Sequence, residues 1–243
     1  MIADTSTRRG EALLEGSASV LRSLKNAIVR PGVRYRRVRF GICRGALLPL
    51  DLSRQFRWPF GLYEREIRRF VKSYALPGTC CYDIGAGIGY YALALARLSD
   101  RGRVYAIEAD ENACEMLEET VRRNPIVGSR VSVVNAFAAS AIDPGRKQVT
   151  IDGLVFEDGC EPPDLIKLDI DGGEHEALLG AEAVLRRFGP RLIVEVHSKE
   201  LETRCQRLLG RYGYEPVVVD QATLFPDYRP VSHNRWICAD RPS

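Results

Sequence analysis

Tyr82-Asp83-Ile84-Gly85-Ala86-Gly87-Ile88-Gly89-Tyr90 is the stretch on which the reading of this chain turns. It closes a short apolar run over 79–84, which reads as a strand. It opens a helix rich in Ala and Leu over 89–98. In an open α/β sheet, ligands bind beyond the carboxyl ends of the strands, where such a loop lies. Glycines let the backbone come close to a ligand that side chains would hold off. The spacing here is G-x-G-x-G with an acid two residues ahead. A dinucleotide loop needs G-x-G-x-x-G, so that a pyrophosphate can sit on the helix N-terminus. The Asp83 carboxylate would repel a pyrophosphate and suits a cationic group, such as the ammonium of S-adenosylmethionine (SAM). A ligand-free strand-to-helix turn is the plainer alternative.

Outward from the loop, a second strand over 103–108 ends at Ile107-Glu108-Ala109-Asp110. A carboxylate at that strand end can accept both ribose hydroxyls of an adenosine. An acid that merely opens the next helix would also be favoured there. Taken with the loop, Glu108 predicts an adenosyl cofactor. Strands and helices then alternate. A helix over 111–123 is stopped by Asn124-Pro125, and strands follow over 131–135, 148–151 and 164–169. After them come a helix over 174–188, a strand over 191–196, a helix over 201–212, and strands over 216–219 and 235–239. Strands separated by helices imply right-handed crossovers and a mainly parallel sheet. Ahead of the loop, a helix is expected over 63–74, a β-hairpin over 33–52 and an amphipathic helix over 11–29. The division drawn is an N-terminal extension, 1–60, and a catalytic domain, 61–243. The stripe of Leu14, Leu21, Leu24 and Ile28 would dock on the body or on a second copy, giving a homo-oligomer, or lie in a membrane interface.

Two further segments carry chemistry. In Asp164-Leu165-Ile166-Lys167-Leu168-Asp169-Ile170-Asp171-Gly172-Gly173-Glu174, strand alternation puts Lys167, Asp169 and Asp171 on one face and Ile166, Leu168 and Ile170 on the other. Burying a Lys and an Asp inside a strand is costly without a purpose, so Lys167 and Asp169 are candidate catalytic residues. Asp171 and Glu174 could equally cap the helix that follows. In Ile193-Val194-Glu195-Val196-His197, Glu195 and His197 share one face and would lie near Asp169. A histidine there could take a hydroxyl proton, or it could cap a helix. The acids and His197 could also hold a divalent metal, although no tight spacing motif supports one.

Composition sets the class. The chain has 243 residues, 45% hydrophobic and 28% charged, which is ordinary globular material. No apolar run is long enough to span a membrane, and Gly10 and Glu11 follow Arg8 and Arg9 where a secretory signal would need an apolar core. The seven cysteines include no C-x-x-C pair, so buried thiols in a reducing cytoplasm are expected. The net charge of +3 is uneven, with twelve basic and four acidic residues in 1–60. That front lacks the interleaved aromatics of a single-strand nucleic-acid binder, so no nucleic-acid partner is expected.

These pieces together resemble the FkbM family of SAM-dependent methyltransferases. Gly61-Leu62-Tyr63-Glu64 resembles the family's G-x-Y-E, and Tyr82–Gly89 its D-x-G-A-N-x-G loop. Val149-Thr150-Ile151-Asp152 resembles its T-L-D segment, and Ile166–Glu174 its I-K-I-D-x-E-G-x-E block. Leu178-Leu179-Gly180-Ala181 resembles its L-x-G-A, and Glu195-Val196-His197 its E-x-H. Gly87 stands where the family usually has Asn, and Asp171 where it has Glu. The resemblance implies an α/β fold of the class I methyltransferase type, a Rossmann-like, mainly parallel seven-stranded sheet with the N-terminal helix and hairpin added. It implies methyl transfer from SAM to a hydroxyl of a small molecule, a sugar or glycan, or a polyketide-type product, with S-adenosylhomocysteine released. Tyr63, Glu64, Asp83, Gly85, Ala86, Gly87, Gly89, Tyr90, Glu108, Ala109, Asn135 and Ala136 would then meet the cofactor, with Phe137 flanking the adenine. Lys167, Asp169, Glu195 and His197 would surround the acceptor hydroxyl. The competing expectation is a catalytically silent SAM-fold module that recruits a partner or polyanion through its basic arm. An NAD-dependent enzyme is disfavoured by the glycine spacing.

Overall fold

The computed structural model of the protein describes residues 31–221 and 233–241. The helix expected over 11–29, and the oligomer contact assigned to it, lie outside the described residues. The strands are β1 (Val33–Arg37), β2 (Leu47–Asp51), β3 (Cys81–Ile84), β4 (Val104–Glu108), β5 (Val131–Asn135), β6 (Phe137–Ala138), β7 (Gln148–Val149), β8 (Leu165–Leu168), β9 (Arg191–Val196), β10 (Glu215–Asp220) and β11 (Arg235–Asp240). The helices are α1 (Leu52–Gln55), α2 (Arg68–Tyr74), α3 (Tyr90–Leu98), α4 (Glu111–Arg122), α5 (Pro125–Gly128), α6 (Ile151–Phe156), α7 (Glu174–Leu179), α8 (Glu182–Arg187) and α9 (Lys199–Arg211).

The mainly parallel seven-stranded sheet is present, in the order β10-β11-β9-β8-β3-β4-β5. Strand β11 runs antiparallel to both β9 and β10, and the pairs from β9 through β5 are parallel. The chain builds outward from β3 to β4 and β5, then returns to place β8 on the other side of β3. That reversal opens a crevice beyond the carboxyl ends of β3 and β8. Alternation along the strands feeds two cores. Tyr82, Ile84, Ile166, Leu168, Leu192 and Val194 pack on one face. Cys81, Leu165, Ile193 and Trp236 pack on the other, with α3 and the hairpin. The odd-numbered face carries Asp83, Lys167 and Glu195 at its carboxyl end, all buried, and register sets Asp83 beside Lys167.

The hairpin forms as expected, with Val33 opposite Asp51 and Arg37 opposite Leu47. Its Leu48 and Leu50 are fully buried against the same core as α3. Asn124 fastens it. The Asn124 side chain accepts from the Leu47 N–H at 2.8 Å and donates to the Leu47 carbonyl at 2.9 Å, as a neighbouring strand would.

Three expectations about elements are corrected. The helix expected over 63–74 starts only at Arg68, because Glu64 adopts a left-handed φ of 41° that no helix accommodates. The strand expected over 148–151 ends at Val149, and Thr150 caps α6 by accepting from the Gly153 N–H at 2.8 Å. The helix expected over 174–188 is broken into α7 and α8. A Cβ on Gly180 would overlap the Ala139 carbonyl oxygen, and Asp152 caps α8 by accepting from Ala183 and Val184 N–H at 2.9 and 2.8 Å. The buried thiols are present: of the seven cysteines, all free, only Cys160 is partly exposed. No helix among the described residues is long and apolar enough to cross a membrane.

Candidate functional site

The glycine loop has the geometry its composition demands. Gly85, Gly87 and Gly89 take φ of 80°, 52° and 92°, the left-handed region that glycine enters without strain. Gly85 lies so close to β8 that a Cβ there would overlap the Asp169 carbonyl oxygen. Gly87 has no atom within 4 Å of where its Cβ would be, because it borders a cavity of about 310 Å³. That volume lies at the lower end of the range for ligand pockets. Asp83, Gly85, Ala86, Gly87, Tyr90, Glu108, Ala109, Ala136, Tyr63, Lys167 and Asp169 line it, together with Trp58, Tyr91, Phe137 and Asp171. Glu108 spans the mouth of β4. Its Oε2 accepts from the Gly87 N–H at 2.7 Å and its Oε1 from the Asp110 N–H at 2.9 Å. Each carboxylate oxygen keeps a lone pair for another donor.

Behind the loop lies a largely buried charged layer. Lys167 is buried, with Nζ 3.1 Å from Asp169 Oδ2 and 4.5 Å from the centroid of the Tyr91 ring. Burial disfavours its ammonium, but Asp169, Glu64, Asp83 and Glu195 outweigh that and hold its pKa above the ordinary value. Asp83 is fully buried and neither carboxylate oxygen makes a hydrogen bond. Burial pushes its pKa up to about 7 against the opposing pull of Lys167, with Asp169 and Glu64 adding to the rise. Burial also raises Glu64, which sits beside the Tyr63 and Tyr91 hydroxyls. One ammonium thus faces four carboxylates. A cationic ligand fits this imbalance, and SAM carries two positive centres. Trp58, Tyr63 and Tyr90 form an aromatic wall on the same cavity, with Trp58 stacked on Tyr63 at 4.1 Å and edge-on to Tyr90 at 5.2 Å. Such faces attract cations.

Next to this layer, His197 follows β9. Its Nδ1 lies 2.9 Å from Oε1 of the fully buried Glu174. Its Nε2 lies 3.3 Å from Asp171 Oδ1 and 3.8 Å from both Asp169 Oδ1 and Glu195 Oε1. The expected set of Lys167, Asp169, Glu195 and His197 is therefore brought together, and Lys167 and Asp169 also belong to the cavity wall. Burial works to lower the His197 pKa, but Glu174, Asp169 and Asp171 raise it further, so the net direction is up.

Three of the expected cofactor residues do not line the cavity. Asn135 instead donates through Nδ2 to the Glu108 carbonyl at 3.0 Å and accepts from Lys147 Nζ at 2.6 Å, clipping two strand ends. Gly89 is the residue on which α3 begins. Glu64 backs Tyr63 from the buried side. Two cavity residues carry no mark in the sequence: Trp58, and Tyr91, which lies within the helix expected over 89–98. Glu174 is expected as a helix cap, whereas it accepts from the Gly172 N–H at 3.0 Å and orients His197. An acid 23 residues before its strand-end histidine partner has no spacing signature, since the two meet only in the fold.

Residues 44–149 match the TRM5/TYW2 methyltransferase domain, and residues 141–216 match the FkbM methyltransferase domain. The ribosomal protein L11 methyltransferase of Pelotomaculum thermopropionicum is 33% identical over 89 residues, which is 37% of this chain and 28% of that one. The FkbM methyltransferase of Methylobacillus flagellatus superposes with a TM-score of 0.55 at 22% identity, over 66% of this chain and 43% of that chain. The fibrillarin of Aeropyrum pernix, solved with natively bound SAM, superposes with a TM-score of 0.51 at 16% identity, over 68% of each chain. The chain thus spans about a quarter of the curated relative and under half of the FkbM structure, and the structural likenesses establish the fold. Both family matches are thus to methyltransferase domains, the FkbM one over residues 141–216, and the chain has the fold of the class I SAM-dependent methyltransferases.

Proposed function

We propose that the protein transfers a methyl group from SAM to a hydroxyl of a small molecule, a sugar or glycan, or a polyketide-type product. The observation that carries this reading is the junction at Asp169, where the cavity wall meets the Glu195–His197 pair. The segment matched to the FkbM domain includes every one of these acceptor-side residues. When bound, SAM supplies an electrophilic methyl group and leaves as S-adenosylhomocysteine. Asp83 offers a buried carboxylate to the cofactor's ammonium, and Glu108 offers its remaining lone pairs to the ribose hydroxyls. Asp169 or His197 orients the acceptor hydroxyl and takes its proton. Glu174 holds the imidazole in one orientation throughout. We propose residues 61–243 as the catalytic domain and 1–60 as its extension.

The L11 methyltransferase relatives and the TRM5/TYW2 match support a second reading, in which the acceptor belongs to a protein or RNA. The TRM5/TYW2 match covers the cofactor half of the chain and stops short of Lys167, so it bears less on the acceptor. The deciding experiment measures S-adenosylhomocysteine release with panels of hydroxylated small molecules, glycans, proteins and RNA. Turnover confined to the macromolecules would sink the small-acceptor reading. SAM binding by calorimetry with no turnover on any acceptor would leave the silent binding module.

Three predictions arise here. Glu108→Ala is expected to weaken SAM about ten- to a hundredfold, the loss of a charge-assisted hydrogen bond, without unfolding the protein. Asp83 adds a pH dependence. Its folded pKa, about 7, lies above the ordinary value of 3.8, so the folded state holds a proton that the unfolded state releases. That contribution to stability is complete below the unfolded pKa and is lost as pH rises through about 7. SAM binding needs the ionised carboxylate, so affinity should rise between pH 6 and 7.5 in the native protein. In Asp83→Asn the dependence should vanish and affinity should be uniformly low. Identical pH profiles by titration calorimetry would refute the pairing of Asp83 with the cofactor. Deletion of residues 1–30 is expected to leave SAM affinity intact, because each cofactor-side residue named lies beyond them. A folded truncation that no longer binds SAM would overturn the proposed division.

A further inference from the structure

We infer that Asp169 Oδ1, Glu195 Oε1 and His197 Nε2 form a binding site for a divalent metal ion at the acceptor end of the cavity. One ligand atom from each residue lies within 4.8 Å of the other two. They come from the ends of neighbouring strands, β8 and β9. The histidine is prepared for the role. Its Nδ1 is held by the Glu174 carboxylate at 2.9 Å, the arrangement that fixes the tautomer of metal-binding histidines and leaves Nε2 as the ligand atom. That Nε2 is buried and makes no hydrogen bond, although three carboxylates stand 3.3 to 3.8 Å away. In the neutral ring so oriented, a lone pair faces anionic oxygens, an arrangement that needs either a proton or a cation between them.

The geometry suits a cation with minor contraction. Neighbouring ligand atoms around an ion with bonds of about 2.1 Å lie about 3.0 Å apart, against 3.8 Å here from Nε2 to each of Asp169 and Glu195. Lys167 does not occupy the position, since it takes the other oxygen of Asp169, Oδ2. Asp171, whose side chain is 83% exposed, stands at the rim as a fourth ligand or as the partner of a bound water. Two carboxylates and one imidazole with open positions suit Mn²⁺, Fe²⁺ or Zn²⁺ better than a cation that takes only oxygen. An acceptor hydroxyl on such an ion would lose its proton more readily. That last role rests on the methyl-transfer reading, whereas cation binding does not.

The test uses Mn²⁺ alone, followed by electron paramagnetic resonance of the free ion, with SAM affinity measured separately by calorimetry. The native protein should take up one Mn²⁺ per chain. His197→Gln should abolish uptake at sub-millimolar Mn²⁺, and Glu174→Gln should weaken it about ten- to a hundredfold by releasing the imidazole. SAM affinity should be unchanged in His197→Gln, because that side chain does not line the cofactor cavity. Glu195→Gln should also lose Mn²⁺, and if its buried position prevents folding, His197→Gln still decides the matter. No uptake at millimolar Mn²⁺, or uptake unaltered by His197→Gln, overturns the site and leaves a protonated imidazole between the carboxylates. Mn²⁺ uptake without SAM binding would instead overturn the cofactor reading while keeping the metal site.

Discussion

Gly85→Ala is expected to abolish SAM binding and to lower the unfolding free energy by at least about 3 kcal/mol. Two costs combine. The φ of 80° at Gly85 is strained for any residue with a Cβ. The added methyl would also overlap the Asp169 carbonyl oxygen, a backbone atom tied by the Asp169 N–H to the Ile84 carbonyl at 2.9 Å. Relief requires β3 and β8 to move apart at the point where they carry Asp83 and Lys167. Gly87→Ala is the control. It shares the positive φ but meets open space, so it should cost about 1–2 kcal/mol from backbone strain and narrow the cavity without parting the strands. Thermal melts and titration calorimetry separate the two. If Gly85→Ala melted no lower than Gly87→Ala, the close approach of loop and β8 would not be structural.

Asp169→Asn is expected to lower kcat by about a hundredfold or more, as loss of an acid–base group does, while SAM affinity and melting temperature hold. The fold should tolerate it for a reason visible around Lys167. With Asp169 neutral, that ammonium still faces Glu64, Asp83 and Glu195, so no uncompensated buried charge is left behind. The amide keeps the size of the carboxyl group and the backbone contacts to Ile84. A structural role predicts the reverse pattern, a lower melting temperature with kcat per folded enzyme nearly unchanged. Seeing that reverse pattern here, and again in His197→Ala, would take the cluster out of the mechanism.

What could be read from sequence was whatever depends on near neighbours along the chain. The switch from strand alternation to helical spacing after Gly89 located the sheet, and the parity of Lys167 and Asp169 against Ile166 and Leu168 placed the charged face. What could not be read depends on contacts between distant segments. Apolar residues continue at helical spacing through Ala177, Leu178, Ala181 and Leu185, so nothing local announces the break at Gly180. It is imposed by the Ala139 carbonyl and the Asp152 carboxylate. Asn135 stands where an adenine contact is expected and instead ties Lys147 to the end of β4. Trp58 enters the site only because the segment before β3 folds back onto Tyr90 at the start of α3. The acidic imbalance around Lys167 was half legible. Asp83 and Asp169 were marked by strand position, but Glu64 joins them only through its left-handed turn.

The position of β11 has a consequence for how the protein is made. The strand lies between β9 and β10 and is antiparallel to both, yet it is synthesised after each of them. Glu195 is paired in register with Trp236, and at ordinary translation speeds of about 5–20 residues per second that partner emerges some 2–8 s later. For that interval β3, β4, β5 and β8 have their partners and the glycine loop has been made. The edge of β9 that carries Glu195, however, remains an unpaired apolar ribbon. Such edges recruit other nascent chains on the same polysome. The end of the sheet that carries Glu195 and His197 is therefore the last part of the described fold to be secured. A product of premature termination before residue 235 would expose that ribbon permanently, as an aggregation seed or a target for proteolysis, rather than fold into a weaker enzyme.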